Sequence, residues 1–118
     1  MKLMIVDDHP GMRKMIRQIV GTPDDVVCEC STGTEAVDQA ALFQPDWVTM
    51  DLRMPGIGGF EATRAISEIR PAATIVIVST YDFHALRRIA TEAGAAAFVT
   101  KENLHHVRGI LLQGRTNA

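Results

Sequence analysis

Five short apolar runs recur along the chain, each followed by a stretch whose apolar residues return every three or four positions. Leu3 to Val6 is continuous and stops at Asp7-Asp8. A run of this kind predicts a strand buried on both faces, as in a parallel sheet. Met12, Met15, Ile16, Ile19 and Val20 then fall at i, i+3, i+4, i+7 and i+8, the spacing of an amphipathic helix. Pro10 stands near its start, where a fixed φ and a missing N–H cost little. Arg13, Lys14, Arg17 and Gln18 form its wet face, and Gly21-Thr22-Pro23-Asp24 ends it.

The pattern repeats. Val26 to Cys30 predicts a second strand, and Gly33-Thr34-Glu35 leads into a helix with Val37, Ala40 and Ala41 inward, stopped by Gln44-Pro45. Asp46 to Met50 predicts a third strand that ends at Asp51, followed by a turn through Met54-Pro55-Gly56. Phe60, Thr63, Ile66 and Ile69 mark the third helix, closed by Arg70-Pro71. Thr74 to Val78 is a β-branched run and the clearest strand, ending in Ser79-Thr80. Leu86, Ile89, Ala90 and Ala93 mark a fourth helix before Gly94. Ala95 to Val99 predicts the fifth strand, ending at Thr100-Lys101; Leu104, Val107, Ile110 and Leu111 mark the fifth helix. Gln113 to Ala118 is polar and is expected to fray.

Strict strand–helix alternation with short connections implies a parallel sheet with helices on both faces. At 118 residues, one domain spanning 1–118 with its core at about 2–113 is the expectation. The 47% hydrophobic content is too high for a disordered chain. A net charge of −2 argues against a large nucleic-acid or membrane-binding surface. No apolar stretch approaches the roughly 18 residues of a membrane span, so a cytoplasmic protein is expected. Cys28 and Cys30 would share one strand face. Lacking a second pair for a zinc site, they read as small buried hydrophobes in a reducing compartment.

In such a sheet all strand carboxyl ends lie on one side, where open α/β sheets bind ligands. Asp7-Asp8, Asp51, Ser79-Thr80 and Lys101 would converge there. Taken singly, each is most often a cap, a turn residue or a surface charge. Together they suit phosphoryl transfer. Carboxylates and phosphate oxygens hold Mg²⁺, an aspartate can serve as nucleophile, and a hydroxyl and a lysine can meet the phosphoryl charge.

The sequence resembles a receiver domain of a two-component response regulator. The resemblance covers about residues 2 to 113 and rests on Ile5-Val6-Asp7-Asp8-His9, Met50-Asp51-Leu52-Arg53-Met54-Pro55-Gly56, Val76-Ile77-Val78-Ser79 and Phe98-Val99-Thr100-Lys101. It implies a flavodoxin-like (βα)5 fold, a doubly wound parallel sheet of order 2-1-3-4-5. It implies phosphorylation of Asp51 by a phosphohistidine of a sensor histidine kinase or histidine phosphotransfer protein. Mg²⁺ (or Mn²⁺) would be held by Asp8, Asp51 and the backbone carbonyl of Arg53, with Asp7 acting directly or through water. Lys101 and Ser79 would contact the phosphoryl group, and Phe98 stands at the family's aromatic switch position. Ser79 is preferred to Thr80 as the hydroxyl because it lies 22 residues before Lys101, the family's usual separation.

Two departures bear on phosphoryl lifetime: Glu102 follows Lys101 where many receivers have proline, and Arg53 stands two residues past Asp51. The Asp-Asp-His-Pro opening resembles receivers that precede a helix-turn-helix DNA-binding domain. A stand-alone regulator or a receiver cut from a longer protein would both fit, as would a homodimer formed on phosphorylation. His105-His106 lack the i, i+4 spacing of a metal pair and read as a solvated face. The rival from another class is a Mg²⁺-dependent phosphatase with an aspartyl nucleophile. Such enzymes place the nucleophile after the first strand with a second acid two residues on, a pattern this chain lacks at both acid clusters. A pseudo-receiver would lack some of the acids, and a flavin module would need a phosphate loop after the first strand.

Overall fold

In the computed structural model, which describes residues 1–116, each apolar run is a strand. These are β1 (Lys2–Val6), β2 (Val26–Cys30), β3 (Trp47–Asp51), β4 (Thr74–Ser79) and β5 (Ala97–Thr100). The helices are α1 (Pro10–Val20), α2 (Gly33–Phe43), α3 (Gly59–Ile69), α4 (His84–Ala93) and α5 (Val107–Thr116). A 3-10 helix, Lys101–His106, joins β5 to α5. The strands form one sheet in the order β2-β1-β3-β4-β5, every pairing parallel. This is the expected doubly wound flavodoxin-like arrangement.

Alternation along the strands splits the core into two layers. Met4, Val6, Val48, Met50, Ile75 and Ile77 face α2, α3 and α4, where Ala36, Ala40, Ala62, Ile66 and Ala90 meet them. Leu3, Ile5, Trp47, Val76 and Val78 face α1 and α5, through Ile16, Val20, Val107 and Leu111. β3, at the centre, is buried at every residue. Its terminal aspartate therefore starts from a rigid, dry strand.

Local chemistry sets the helix ends. Thr32 and Glu35 form a reciprocal cap on α2: the Glu35 N–H donates to Thr32 Oγ1, and the Ser31 N–H donates to Glu35 Oε1. Gly94, at φ +107°, takes the left-handed turn that closes α4.

Several expectations need correction. Met15 and Ile19 are 46% and 44% exposed. A helix laid on a sheet is covered along one strip, and on α1 that strip is centred on Ile16 and Val20, leaving the other two on an open flank. Ile69, the last residue of α3, Ile89 on the flank of α4, and Ala41 on α2 are exposed for the same reason. β2 is an edge strand, so Cys28 is half-buried while Cys30 is buried. Burial, followed by the neighbouring Cys28, pushes the Cys30 thiol up.

β3 starts at Trp47 because the Asp46 N–H bonds to the Lys2 carbonyl and its carboxylate accepts from the Lys2 N–H, tying it to the sheet's lower edge. β5 starts at Ala97 because the Ala95 N–H still bonds to the Ala90 carbonyl, closing α4. The fifth helix predicted from Leu104 onward starts within the 3-10 segment, itself kinked at Asn103, and is α-helical only from Val107. α5 itself runs to Thr116; the expectation of a frayed tail extends to residues 117 and 118, which lie outside the described residues.

At the amino ends of the strands, Arg108 on α5 ties three parts of the chain together. It donates to the Val20 carbonyl (3.0 Å) and to Asp25 (2.8 Å), and its guanidinium lies 5.0 Å from the Trp47 ring centroid. Burial pushes the Asp25 carboxyl upward, but the hydrogen bonds from Arg108 and from the Thr22 N–H outweigh it, so its pKa lies below the usual aspartate value.

Candidate functional site

Register assembles the acidic edge. Val6 pairs with Met50, so the next residue of each strand, Asp7 and Asp51, stand side by side. Asp51 pairs with Val78 and Ser79 with Thr100, so Ser79 and Lys101 follow one step along at the same edge. Residues far apart in the chain thereby stand about 5 Å apart across neighbouring strands. The local turn is fixed by Gly59: a Cβ there would lie 2.2 Å from the Asp51 carbonyl oxygen, so α3 can start this close to β3 only with glycine.

Asp7 and Asp51 are almost fully buried, at 1% and 6% exposure. Lys101 Nζ sits between them, 3.4 Å from Asp7 Oδ2 and 3.3 Å from Asp51 Oδ1. Burial, then the charge of Asp7, pushes the Asp51 carboxyl up, and Lys101 offsets only part of that. For Lys101, burial works against the charge, but Asp51 and Asp7 together raise its pKa. Asp8 is the more open acid, its side chain 28% exposed.

Asp7 is held by its backbone. Its N–H donates to the Cys30 carbonyl, and its own carbonyl accepts from Arg13 Nη1 at 2.7 Å. Arg13 is steadied by Glu29 at 3.0 Å. Arg13 read as part of a wet helix face; that it reaches back under the acid loop is visible only once β2 brings Glu29 alongside. Asp7 Oδ1 accepts from the His9 N–H. Asp7 Oδ2 and Asp8 Oδ1 are buried atoms with no hydrogen-bond partner. Buried carboxylate oxygens left in this way, beside a third carboxylate and one ammonium, suit a hard divalent cation.

A cleft of about 200 Å³ opens over these groups, bordered by Asp51, Arg53, Ser79, Thr80 and Lys101 among others. Ser79 is 3% exposed and its Oγ accepts the Tyr81 N–H at 3.1 Å; Thr80 is exposed. Arg53 is exposed, and its guanidinium lies 4.5 Å from the Tyr81 ring centroid. Phe98 is buried at 8% exposure, pointing inward. Arg87 covers it, with its guanidinium 5.1 Å from the ring centroid and Nη1 donating to the Phe98 carbonyl at 3.3 Å. Asp82 pairs with Arg87 at 2.6 Å. Neither Arg87 nor Asp82 stands out in the sequence, since only the fold of α4 over β5 brings them to Phe98. His105 and His106 are exposed, as expected. Trp47 lies at the other end of β3 from Asp51, beside Arg108.

Fold and acidic edge define a class: doubly wound regulatory α/β domains that gather carboxylates at the carboxyl end of a parallel sheet. Residues 3–108 match the response regulator receiver domain, and the chain belongs to that family of two-component signalling. It is 36% identical over 102 residues to the response regulator GacA of Pseudomonas syringae, covering 85% of this chain and 48% of GacA. It is 37% identical over 101 residues to the chemotaxis protein CheY of Thermotoga maritima, covering 85% and 84% of the two chains. Among solved structures, a LuxR-family two-component response regulator from Aurantimonas superposes with a TM-score of 0.84 at 37% identity, covering 95% of this chain and 85% of that one. The chain thus spans about half the length of GacA and most of the length of CheY. Among the described residues no helix is long and apolar enough to cross a membrane.

Proposed function

We propose that this domain is a phosphorylation switch that takes a phosphoryl group onto Asp51 from the phosphohistidine of a sensor histidine kinase or a histidine phosphotransfer protein. The observation that carries the reading is the placement of Asp51. It is a buried carboxylate at the end of the central strand, its pKa raised, with one ammonium at 3.3 Å. A carboxylate oxygen of Asp51 attacks phosphorus, the O–P bond forms as the N–P bond of the phosphoimidazole breaks, and the imidazole leaves with the electron pair. Lys101 would follow the charge onto the phosphoryl oxygens, and Ser79 Oγ would donate to one of them.

Asp8, Asp51, Asp7 and the carbonyl of Arg53 are the residues that would hold Mg²⁺ or Mn²⁺. The ion would supply charge neutralisation between the acids and the incoming phosphate. Asp7 Oδ2 and Asp8 Oδ1, buried and without a hydrogen bond, support that fit.

The readout runs through β4–α4 and β5. Drawing the Ser79 hydroxyl toward a phosphoryl group removes the acceptor of the Tyr81 N–H and loosens the turn into α4, on which Arg87 holds Phe98. The resulting surface of α4, β5 and α5 would address an output partner, a second copy of the domain, or a DNA-binding domain in the same polypeptide. The reading belongs to the cytoplasm, where such donors present their phosphohistidines.

The test is intact mass after incubation with acetyl phosphate and Mg²⁺. One phosphoryl group should add to wild type and none to Asp51→Asn. Continued labelling of that variant would sink the assignment.

A further inference from the structure

Beside the cleft over Asp51 lies a second, of about 280 Å³, between the start of α3 and the start of α4. Its walls are apolar: Phe60 on α3, Leu86 on α4, and Tyr81 and Phe83 on the turn from β4 into α4. Tyr81 and Phe83 are 42% and 62% exposed, and their rings stack with centroids 6.1 Å apart and planes 10° from parallel. Two large rings aligned at the rim of a cleft form a contiguous apolar face, unlike apolar residues scattered singly over a surface.

A second observation concerns charge. Arg53 borders the same cleft, and its guanidinium lies 4.5 Å from the Tyr81 ring centroid. Among the described residues Arg53 forms no ion pair, whereas Arg13, Arg17, Arg70, Arg87 and Arg108 each have a carboxylate partner. A guanidinium over an aromatic ring keeps its N–H donors for a planar acceptor, and a carboxylate matches that fork. Across the cleft, the first turn of α4 has neither an acid nor a side-chain cap, so the positive end of that helix is uncompensated as well. No acidic side chain among the described residues lines the cleft.

We propose that this cleft binds a small aromatic carboxylate, its ring against Phe60, Tyr81, Phe83 and Leu86 and its carboxylate on Arg53. The volume stands at the small end of ligand sites, which start at about 300 Å³, so one or two fused rings fit and a drug-sized molecule does not. The apolar walls select against sugars and free phosphate, and the unpaired guanidinium selects against amines. The site stands without the phosphoryl-acceptor reading, since neither Asp51 nor Lys101 borders it.

Amide spectra of the unphosphorylated, metal-free domain, recorded during titration with indole-3-acetate, indole-3-acetamide and tryptamine, test this. The acid should shift the signals of residues 52–53, 60 and 81–86 saturably, with a dissociation constant below roughly 1 mM. The amide keeps the ring and loses the charge, so it should bind at least about fivefold more weakly, and the amine more weakly still. Arg53→Gln should weaken the acid at least about fivefold and leave the amide within about twofold. Phe83→Ser, at an exposed position, should weaken both acid and amide. Equal affinity for acid and amide, or an acid affinity untouched by Arg53→Gln, would overturn the site. So would shifts centred on residues 7–9 and 101, which would put the carboxylate in the acid cleft. Shifts of residues 53 and 81–86 that grow with protein concentration and need no ligand would hand the cleft to a second copy of the domain and end the small-acid reading. Arg53-dependent binding of the acid in a protein that never labels at Asp51 would keep this site and end the phosphoryl-acceptor reading.

Discussion

Lys101→Met removes the one ammonium between the buried acids while keeping most of the aliphatic stem, so the loss is chiefly electrostatic. In the wild type Nζ lies 3.3 Å from Asp51 and 3.4 Å from Asp7. At an effective dielectric constant of about 20, each contact is worth roughly 5 kcal/mol of gross attraction. Much of that offsets the desolvation of three charges. Removing one partner of a buried pair costs about 3–5 kcal/mol net. The Lys101 side chain keeps 19% exposure, which places the expected loss at the low end, about 3 kcal/mol. With a urea slope of about 1.5 kcal/mol per M, the midpoint should fall by about 2 M at pH 7 without divalent ions.

The pH dependence has a definite sign. Lys101 has a raised pKa, so its contribution is complete below the ordinary lysine value of 10.5 and is lost as pH rises through the folded value. The variant should therefore lag wild type throughout neutral and mildly alkaline pH, and the two should converge at the alkaline end. They should also converge in acid, as Asp51 protonates. Added Mg²⁺ should recover part of the loss. Equal urea midpoints at pH 7 without metal, or a gap that widens as pH falls, would refute the view that this ammonium neutralises the acid pair.

Three further outcomes follow from the same geometry. Asp51→Asn should be more stable than the metal-free wild type at pH 7. With the folded pKa raised above 3.8, wild type loses stability as pH rises across the window between those values, and urea curves over pH 3 to 8 should show the gap open there and persist above it. Gly59→Ala should cost about 1–3 kcal/mol by forcing α3 off the Asp51 carbonyl, whereas Gly11→Ala, with nothing within 4 Å of the new methyl, should gain about 0.5 kcal/mol; thermal midpoints check both. Arg108→Ala should cost about 2–3 kcal/mol by leaving buried Asp25 without its guanidinium. It should also shift Trp47 emission, while Mg²⁺ titration leaves that emission nearly unchanged.

The sequence by itself determined the strands, their order of appearance and the residues that end them. A buried parallel strand must be apolar on both faces, so its end is marked where the first charge appears, as at Val6-Asp7 and Met50-Asp51. Once strands alternate with helices, the acids must share an edge. The family resemblance favoured Ser79 over Thr80 by its separation from Lys101; in the fold Ser79 is buried and Thr80 exposed.

Tertiary structure decided what periodicity cannot encode. Met15 and Ile19 obey helical spacing yet lie in the open, because how wide a strip is covered depends on the neighbours of the helix and not on the helix itself. Arg13, Arg87 and Arg108 carry no local mark. Each works by reaching a carbonyl on another part of the chain, at Asp7, Phe98 and Val20. The turn of Arg53 toward Tyr81 belongs to the same class. Sequence places a side chain beside its neighbours in the chain, and only the packed loop decides which way it faces.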